Sequence, residues 1–187
     1  MESPERFPHG MKAVADYAKE KGMGFGVWLE IEAMGIVSEF AKSLPDSWFI
    51  CRHGKRHIDN KRYLLDFRNP EVYQYCMGVV DRLISDYGIG YFKVDYNQTQ
   101  GIGADTGADS CAQAMLEYYD ALYRWYEEIF RKYPNLIIEN CGSGGMRMDY
   151  GMLRILSLQS TSDQIQDKTM LAPYQSMLHT YHHILVN

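Results

Sequence analysis

The chain switches repeatedly between two hydrophobic periods, and this alternation narrows its possible folds more than any other feature. Residues 11–22 place Met11, Val14, Ala15 and Ala18 along one helix face and close on Gly22, a helix terminator. A strand of period two is predicted over 24–31, an irregular excursion over 33–60 and another strand over 62–67. Asn69-Pro70-Glu71 then opens a helix, with Asn as cap, Pro in the first turn and an acid beside the positive helix end; the helix is predicted to reach about Tyr87. A strand over 91–97 follows, then a helix from Asp109 or Ser110 to Tyr133, stopped by Pro134, and strands over 136–139 and 154–160. No internal repeat, low-complexity tract or linker interrupts the pattern, so residues 1–187 read as a single domain. Such alternation folds as a parallel sheet with crossover helices. The fold class is α/β, and about five strands are present, where a closed (β/α)8 TIM-type barrel needs eight.

The stretch Tyr91-Phe92-Lys93-Val94-Asp95-Tyr96-Asn97 holds the densest chemistry. Strand side chains alternate, so Tyr91, Lys93, Asp95 and Asn97 share one face while Phe92, Val94 and Tyr96 share the other. If helices cover the apolar side, Asp95 stands on the inner face at the C-terminal lip of a parallel strand, where α/β barrels keep catalytic groups. Lys93, two residues away, is predicted to keep the carboxylate ionised, because a nearby cation lowers a carboxyl pKa. In the strand over 24–31, Trp28, Glu30 and Glu32 fall on the same side as Gly24 and Gly26, which makes Glu30 and Glu32 candidate site residues. In the strand over 154–160, Ser157, Gln159, Thr161 and Asp163 are predicted to face away from Leu156 and Leu158, bringing a second carboxylate to a second strand end.

Charge and composition exclude several functions. A net charge of −5 argues against a nucleic-acid groove, and no stretch approaches the ~18 apolar residues of a membrane span. The residues after Met1 carry no signal-peptide pattern, so a cytoplasmic location is expected. Cys51, Cys76, Cys111 and Cys141 lie far apart with no C-x-x-C, which favours reduced, buried thiols over a zinc site or a disulfide framework. Fifteen tyrosines and three tryptophans suit a cleft that stacks sugar rings, although aromatic residues also fill ordinary cores.

The long excursion over 33–60 reads as a binding loop, and its basic run Arg52-His53-Gly54-Lys55-Arg56-His57 as a solvated hairpin tip. Other motifs fit their chemistry less well. Gly142-x-Gly144-x-x-Arg147 imitates a dinucleotide fingerprint, but Arg stands where the third glycine should be. A Schiff-base role for Lys93 leaves Asp163 and the glycine turn unexplained. Asp95-x-Asn97-x-Thr99 opens like a calcium loop without its closing Glu, and His179 with His183 lacks a third ligand, so neither metal nor cofactor is expected.

Two acids at strand ends suit glycoside hydrolysis, in which one carboxylate attacks the anomeric carbon and the other protonates the leaving oxygen. Three motifs carry a family resemblance: Phe92-Lys93-Val94-Asp95-Tyr96-Asn97, Cys141-x-x-Gly144-x-x-Arg147 and Thr161-Ser162-Asp163. The strand around Trp28 and Glu30, Pro45-Asp46 before Trp48, and Leu65-Asp66 before Pro70-Glu71-Val72 add spaced agreement over most of the chain. In these the chain resembles the catalytic barrel of glycoside hydrolase family 36, the α-galactosidase family. The resemblance implies a retaining hydrolase of terminal α-linked galactose, with Asp95 as nucleophile and Asp163 as general acid/base. It further implies that Lys93, Asn97, Trp48, Cys141 and Gly144 contact the ring, with Arg62, Arg147 and Glu30 as further candidates for substrate binding. The segment Ser162-Asp163-Gln164-Ile165-Gln166-Asp167 is one residue longer than the family's S-D-N-T-D, so Asp167 is the fallback acid. Val94 replaces the family's usual Trp, and the Ser-Gly-Gly of the glycine turn leaves an N-acetylgalactosamine-type substrate open. A non-catalytic sugar-binding barrel remnant is the reading from another class. The implied partner is an oligosaccharide or glycoside, with a homo-oligomer of the full-length protein also open.

By the same resemblance the five strands count as barrel strands two to six. Five strands cannot close a barrel, and an open sheet exposes unpaired edges and an apolar inner face. The 187 residues are therefore expected to be part of a longer polypeptide, or a piece completed by another chain, and to be insoluble or inactive alone.

Overall fold

A computed structural model describes residues 2–99 and 103–161. Helix α1, Gly10–Glu20, ends through Gly22, whose φ of 72° no side-chain-bearing residue adopts cheaply. Strand β1, Gly26–Leu29, leads into an excursion that is more regular than its sequence suggests. It contains strand β2 (Ala33–Gly35), helix α2 (Glu39–Ser43), a single 3-10 turn (Asp46–Trp48), and strands β3 (Cys51–Arg52), β4 (Lys55–Arg56), β5 (Ile58–Asp59) and β6 (Arg62–Leu64). Helix α3 (Pro70–Tyr87), strand β7 (Tyr91–Asp95), helix α4 (Cys111–Lys132), strand β8 (Ile137–Cys141), helix α5 (Tyr150–Ile155) and strand β9 (Leu158–Gln159) complete the described residues.

The capping chemistry read from the sequence operates at both long helices. The Asn69 side chain accepts the Glu71 N–H at 2.8 Å, Pro70 occupies the first turn, and Gly88 closes α3 in the left-handed region. At α4 the Ser110 hydroxyl accepts the Gln113 N–H at 3.1 Å. Each cap satisfies an N–H that the helix itself leaves without a partner.

Strands β1, β7, β8 and β9 form one parallel sheet in that order. Phe92, Val94 and Ile138 project from one side into a core with Val72, Cys76 and Val80 of α3 and Tyr118, Leu122 and Trp125 of α4. The predicted alternation of the strand over 91–97 thus holds from Tyr91 to Asp95, with Phe92 and Val94 buried and Tyr91, Lys93 and Asp95 half-buried on the other face. That inner face is open: Trp28 is 53%, Ile137 43% and Leu158 51% exposed.

Three predicted strands differ. The segment over 62–67 does not enter the parallel sheet; β6 pairs antiparallel with β2 and β5, and Leu65 bridges Phe49. The α/β class stands, but the described residues contribute four barrel strands; if β7 remains the fourth, β1 is the third, not the second. The reason lies in two tight turns. Asn60 and Lys61 both have positive φ, as do His53 and Gly54, so each pair forms a two-residue hairpin that folds the chain back on itself. The tip of the basic run is indeed a hairpin, but Arg56 is anchored beneath it, donating to Asp46, Ala41 and Leu44 and stacking 4.3 Å over Phe49. The strand over 136–139 runs on to Cys141, and that over 154–160 shortens, with Arg154 and Ile155 in α5.

The third difference is one of facing. Leu158 lies in register with Glu139, and Ser160 bonds to the Glu139 carboxylate, so Leu158 and Ser160 occupy the open inner face. Gln159 turns the other way, to the buried Asn140 at 2.6 Å. The polar side predicted for this strand is reversed, because its partner strand, and not its own alternation, decides which side meets the helices.

Candidate active site

Asp95 is the last residue of β7 and lies opposite Cys141, the last residue of β8. Trp28 of β1 is in register with Lys93, one inward-facing position below, and its indole rises to donate to Asp95 Oδ2 at 3.1 Å. The buried Asp95 Oδ1 accepts no hydrogen bond from the described residues. Burial by itself would raise the Asp95 pKa. The polar groups of Asn97, Cys141 and Trp28 and the Ser143 N–H outweigh it and hold the carboxyl below its ordinary value.

Lys93 is not the chief cause of that ionisation, contrary to the sequence expectation. Its ammonium is spent on Glu139 Oε1 at 3.1 Å and Ser160 Oγ at 3.2 Å. Glu139 also accepts from the Tyr91 hydroxyl and from Ser160. Burial would push the Glu139 pKa up, but Ser160, Tyr91 and Lys93 together bring it below its ordinary value. Gly26 allows Tyr91 this position, since a Cβ there would come within 2.8 Å of the Tyr91 Cβ.

A second chain of contacts runs along the rim. Arg62 Nε meets Glu30 Oε2 at 2.7 Å, and Asn97 Nδ2 donates to Glu30 Oε1 at 3.1 Å. Asn97 Oδ1 then accepts both the N–H and the hydroxyl of Ser143, at 3.0 and 2.8 Å. Glu30, Arg62 and Asn97, three of the predicted site residues, are therefore joined beside Asp95. The glycine turn closes through Gly142 N–H to Gly144 O at 3.1 Å, with Gly144 at φ 80°. A Cβ on Gly142 would lie 3.0 Å from the Arg147 Cβ and 3.1 Å from the Tyr96 carbonyl, a tight fit that favours glycine there. Cys141 is buried beneath it, and burial raises its thiol pKa.

Two predicted sugar contacts lie elsewhere. Arg147 is 6% exposed, forks onto both oxygens of the buried Glu32 and stacks 4.1 Å over the Tyr96 ring. It cannot reach a ligand in the cleft. Glu32, also read as a candidate, likewise turns to the helix layer, where it accepts from Tyr118 of α4 at 2.5 Å. Trp48 donates its indole N–H to Glu71 at the start of α3 at 2.8 Å and packs 5.5 Å from Tyr75; no described contact joins it to Asp95. Asp163 and Asp167 lie outside the described residues, as do His179 and His183.

Sequence reasoning missed Trp28, Ser143, Glu139, Tyr91 and Ser160 as members of the site. Trp28 and Tyr91 had already been placed on the inner faces of their strands, and pairing those strands in parallel would have set both beside Lys93. Ser143 lies in the glycine turn singled out above, but its hold on Asn97 is not legible there, and nothing in the linear order marks Glu139 or Ser160. Among the described residues no three His, Cys, Asp or Glu side chains gather as a metal site requires.

Comparison with known proteins identifies the family and the fold. The melibiase family model matches residues 1–181. The α-galactosidase AgaA of Geobacillus stearothermophilus is 28% identical over 160 residues, which cover 84% of this chain and 22% of that protein. The crystal structure of the α-galactosidase from Lactobacillus brevis superposes with a TM-score of 0.79 at 27% identity, covering 93% of this chain and 24% of that one. A variant of the Geobacillus enzyme crystallised with stachyose superposes at 0.77 and 27% identity, over 87% of this chain and 23% of that one. The chain thus spans less than a quarter of the length of these relatives.

Proposed function

This chain belongs to the melibiase family, the GH36 α-galactosidases, as a partial segment of their catalytic barrel, and from that we propose that the protein carrying it releases terminal α-linked galactose from oligosaccharides with retention of configuration. The observation that carries the reading is Asp95 itself: a carboxylate at a parallel strand end, steadied by the Trp28 indole and held below its ordinary pKa by the polar groups around it. The carboxylate attacks the anomeric carbon, and the Trp28 indole limits its rotation. As the new bond to Asp95 forms, the glycosidic C–O bond breaks and Asp163 gives its proton to the departing oxygen. Asp163 then takes a proton from water, the oxygen of that water attacks the same carbon, and the ester to Asp95 opens. In this reading Lys93 and Asn97 face the sugar hydroxyls, with Asn97 held in one orientation by Ser143 and Glu30. Stachyose, the ligand of the Geobacillus complex, is the substrate class proposed.

The test is hydrolysis of an aryl α-galactoside by the full-length protein that carries this chain and by its Asp95→Gly variant. Turnover is expected to drop by at least about 10⁴-fold, since the covalent step is lost. Azide should restore part of it and give a product of inverted configuration. Substantial activity in Asp95→Gly without azide would end the nucleophile assignment. The same assay with the N-acetylgalactosaminide decides the sugar. A cytoplasmic location is also proposed, supported by four free thiols, three of them buried; recovery of the protein outside the cell would refute it.

A further inference from the structure

Below Asp95 the inner face of the sheet carries a polar group that the reaction as written does not use. Glu139 stands in register with Lys93 on the neighbouring strand and presents both oxygens to donors. Oε2 takes the Tyr91 hydroxyl; Oε1 takes the Lys93 ammonium and the Ser160 hydroxyl. Donors from β7 and from the residue after β9 thus converge on one carboxylate of β8. Its side chain is 19% exposed and that of Lys93 37%, so the pair sits at the cleft floor and not within the core.

A flexible lysine has four side-chain torsions, and an ammonium left to itself would sample many positions. Among the described residues, Glu139 and Ser160 take up two of its three N–H directions, which leaves one for the cleft. Resting on the reading of Lys93 as a sugar contact, we infer that Glu139 is the positioning residue of this site: it fixes the Lys93 ammonium, charged and with one N–H unspent, against the galactose ring. Among the described residues, the ionisable groups facing Lys93 are Glu139, Cys141 and Asp95, and Glu139 contributes most to raising its pKa. Tyr91 tunes the arrangement. By donating to Oε2 it withdraws charge from Glu139, so it competes with Lys93 for the same carboxylate.

The experiment reads Lys93 directly in the full-length protein, by acetylation with an activated ester at pH 8.5 and residue-resolved mass spectrometry. Exposed Lys19 and Lys55 serve as internal standards. Glu139→Gln keeps the shape and removes the charge, so Lys93 should react several-fold faster against those standards, because each unit of pKa lost gives about ten times more free amine. Tyr91→Phe should act in the opposite direction and slow Lys93, a sign that general loosening of the sheet would not produce. In parallel, Glu139→Gln should raise KM for an aryl α-galactoside about tenfold with kcat within about threefold, the pattern of a contact made equally in ground and transition states. Lys93 rates unchanged in both variants would overturn the inference, as would faster labelling in both. If the unmodified full-length protein hydrolyses no α-galactoside, the function reading fails by itself, and the two labelling rates still decide whether Glu139 governs Lys93.

Discussion

Two carboxylates in this molecule have nearly the same partners and opposite surroundings. Glu32 accepts from Tyr118 and pairs with Arg147; Glu139 accepts from Tyr91 and pairs with Lys93. The first pair has 2% and 5% of its side chains exposed, the second 19% and 37%. In the sealed pair every direction of the cation is enclosed by protein, with the Tyr96 ring on one face and Glu32 in the plane. Its work is to tie the end of β1 to the turn after β8, across 115 positions of sequence. In the open pair the cation keeps one direction that no described residue fills. Arginine suits the first task because its fixed fork matches a carboxylate, and lysine suits the second because it acts as a movable point charge. Equivalent chemistry is thus a fastener in one place and a tool in the other, and burial decides which.

The largest effect should come from breaking the sealed pair on one side. Arg147→Met leaves Glu32 buried beside Tyr118 with no cation, and full-chain stability in urea is expected to fall by about 3–5 kcal/mol. Replacing Glu32 and Arg147 together by apolar residues should recover much of that loss, because no charge is then stranded. A double variant as unstable as the single one would mean that the pair contributes specific bonding beyond charge balance.

The pH dependence follows from the open cluster. The carboxyls of Asp95 and Glu139 both titrate below their ordinary values of 3.8 and 4.5 in the folded chain. Below pH ~4.5 the unfolded state therefore binds more protons than the folded one. The stability that these groups give is complete above that range and is lost as pH falls through the lowered folded values. Urea unfolding between pH 6 and 3 should show this decline, and it should be shallower in Glu139→Gln. The acid limb of kcat/KM for an aryl α-galactoside should also lie below pH 4, because Asp95 must be ionised to attack. An acid limb near pH 6 would assign that titration to a different group.

Ser143 provides the smallest and sharpest case. It sits at φ 45°, where glycine is at ease and serine is not, yet its hydroxyl and N–H both hold Asn97. Ser143→Gly relieves the backbone and keeps the N–H contact, so stability should stay level or rise by up to about 1 kcal/mol. Loss of the hydroxyl should raise KM by about two- to tenfold through a looser Asn97. A variant that is less stable and kinetically normal would make Ser143 part of the scaffold.

The elements whose signals are local were the ones that could be read directly from the sequence. The Asn69 cap, Gly88 and the alternation from Tyr91 to Asp95 each depend on residues within a few positions, and steric or hydrogen-bonding rules act at that range. The candidate nucleophile was legible for that reason: a strand ending in Asp between two helices leaves little choice about where the carboxylate emerges. The placing of Arg62 and of Trp48 was not, because a short strand does not encode its partner. Residues 62–64 could join a parallel sheet or an antiparallel one, and only the two hairpins at His53-Gly54 and Asn60-Lys61 chose between them.

The sequence alone therefore determined the family, the parallel α/β class and the inner-facing row of Tyr91, Lys93 and Asp95, since each rests on short-range pattern or on motif spacing. Tertiary structure decided that Trp28 and not Trp48 stands over Asp95, that Lys93 answers to Glu139, and that Arg147 is locked away with Glu32. Those outcomes depend on strand register and on burial. Both are properties of chain segments that meet from far apart, and the free energy of a charge depends on how much water those segments leave beside it.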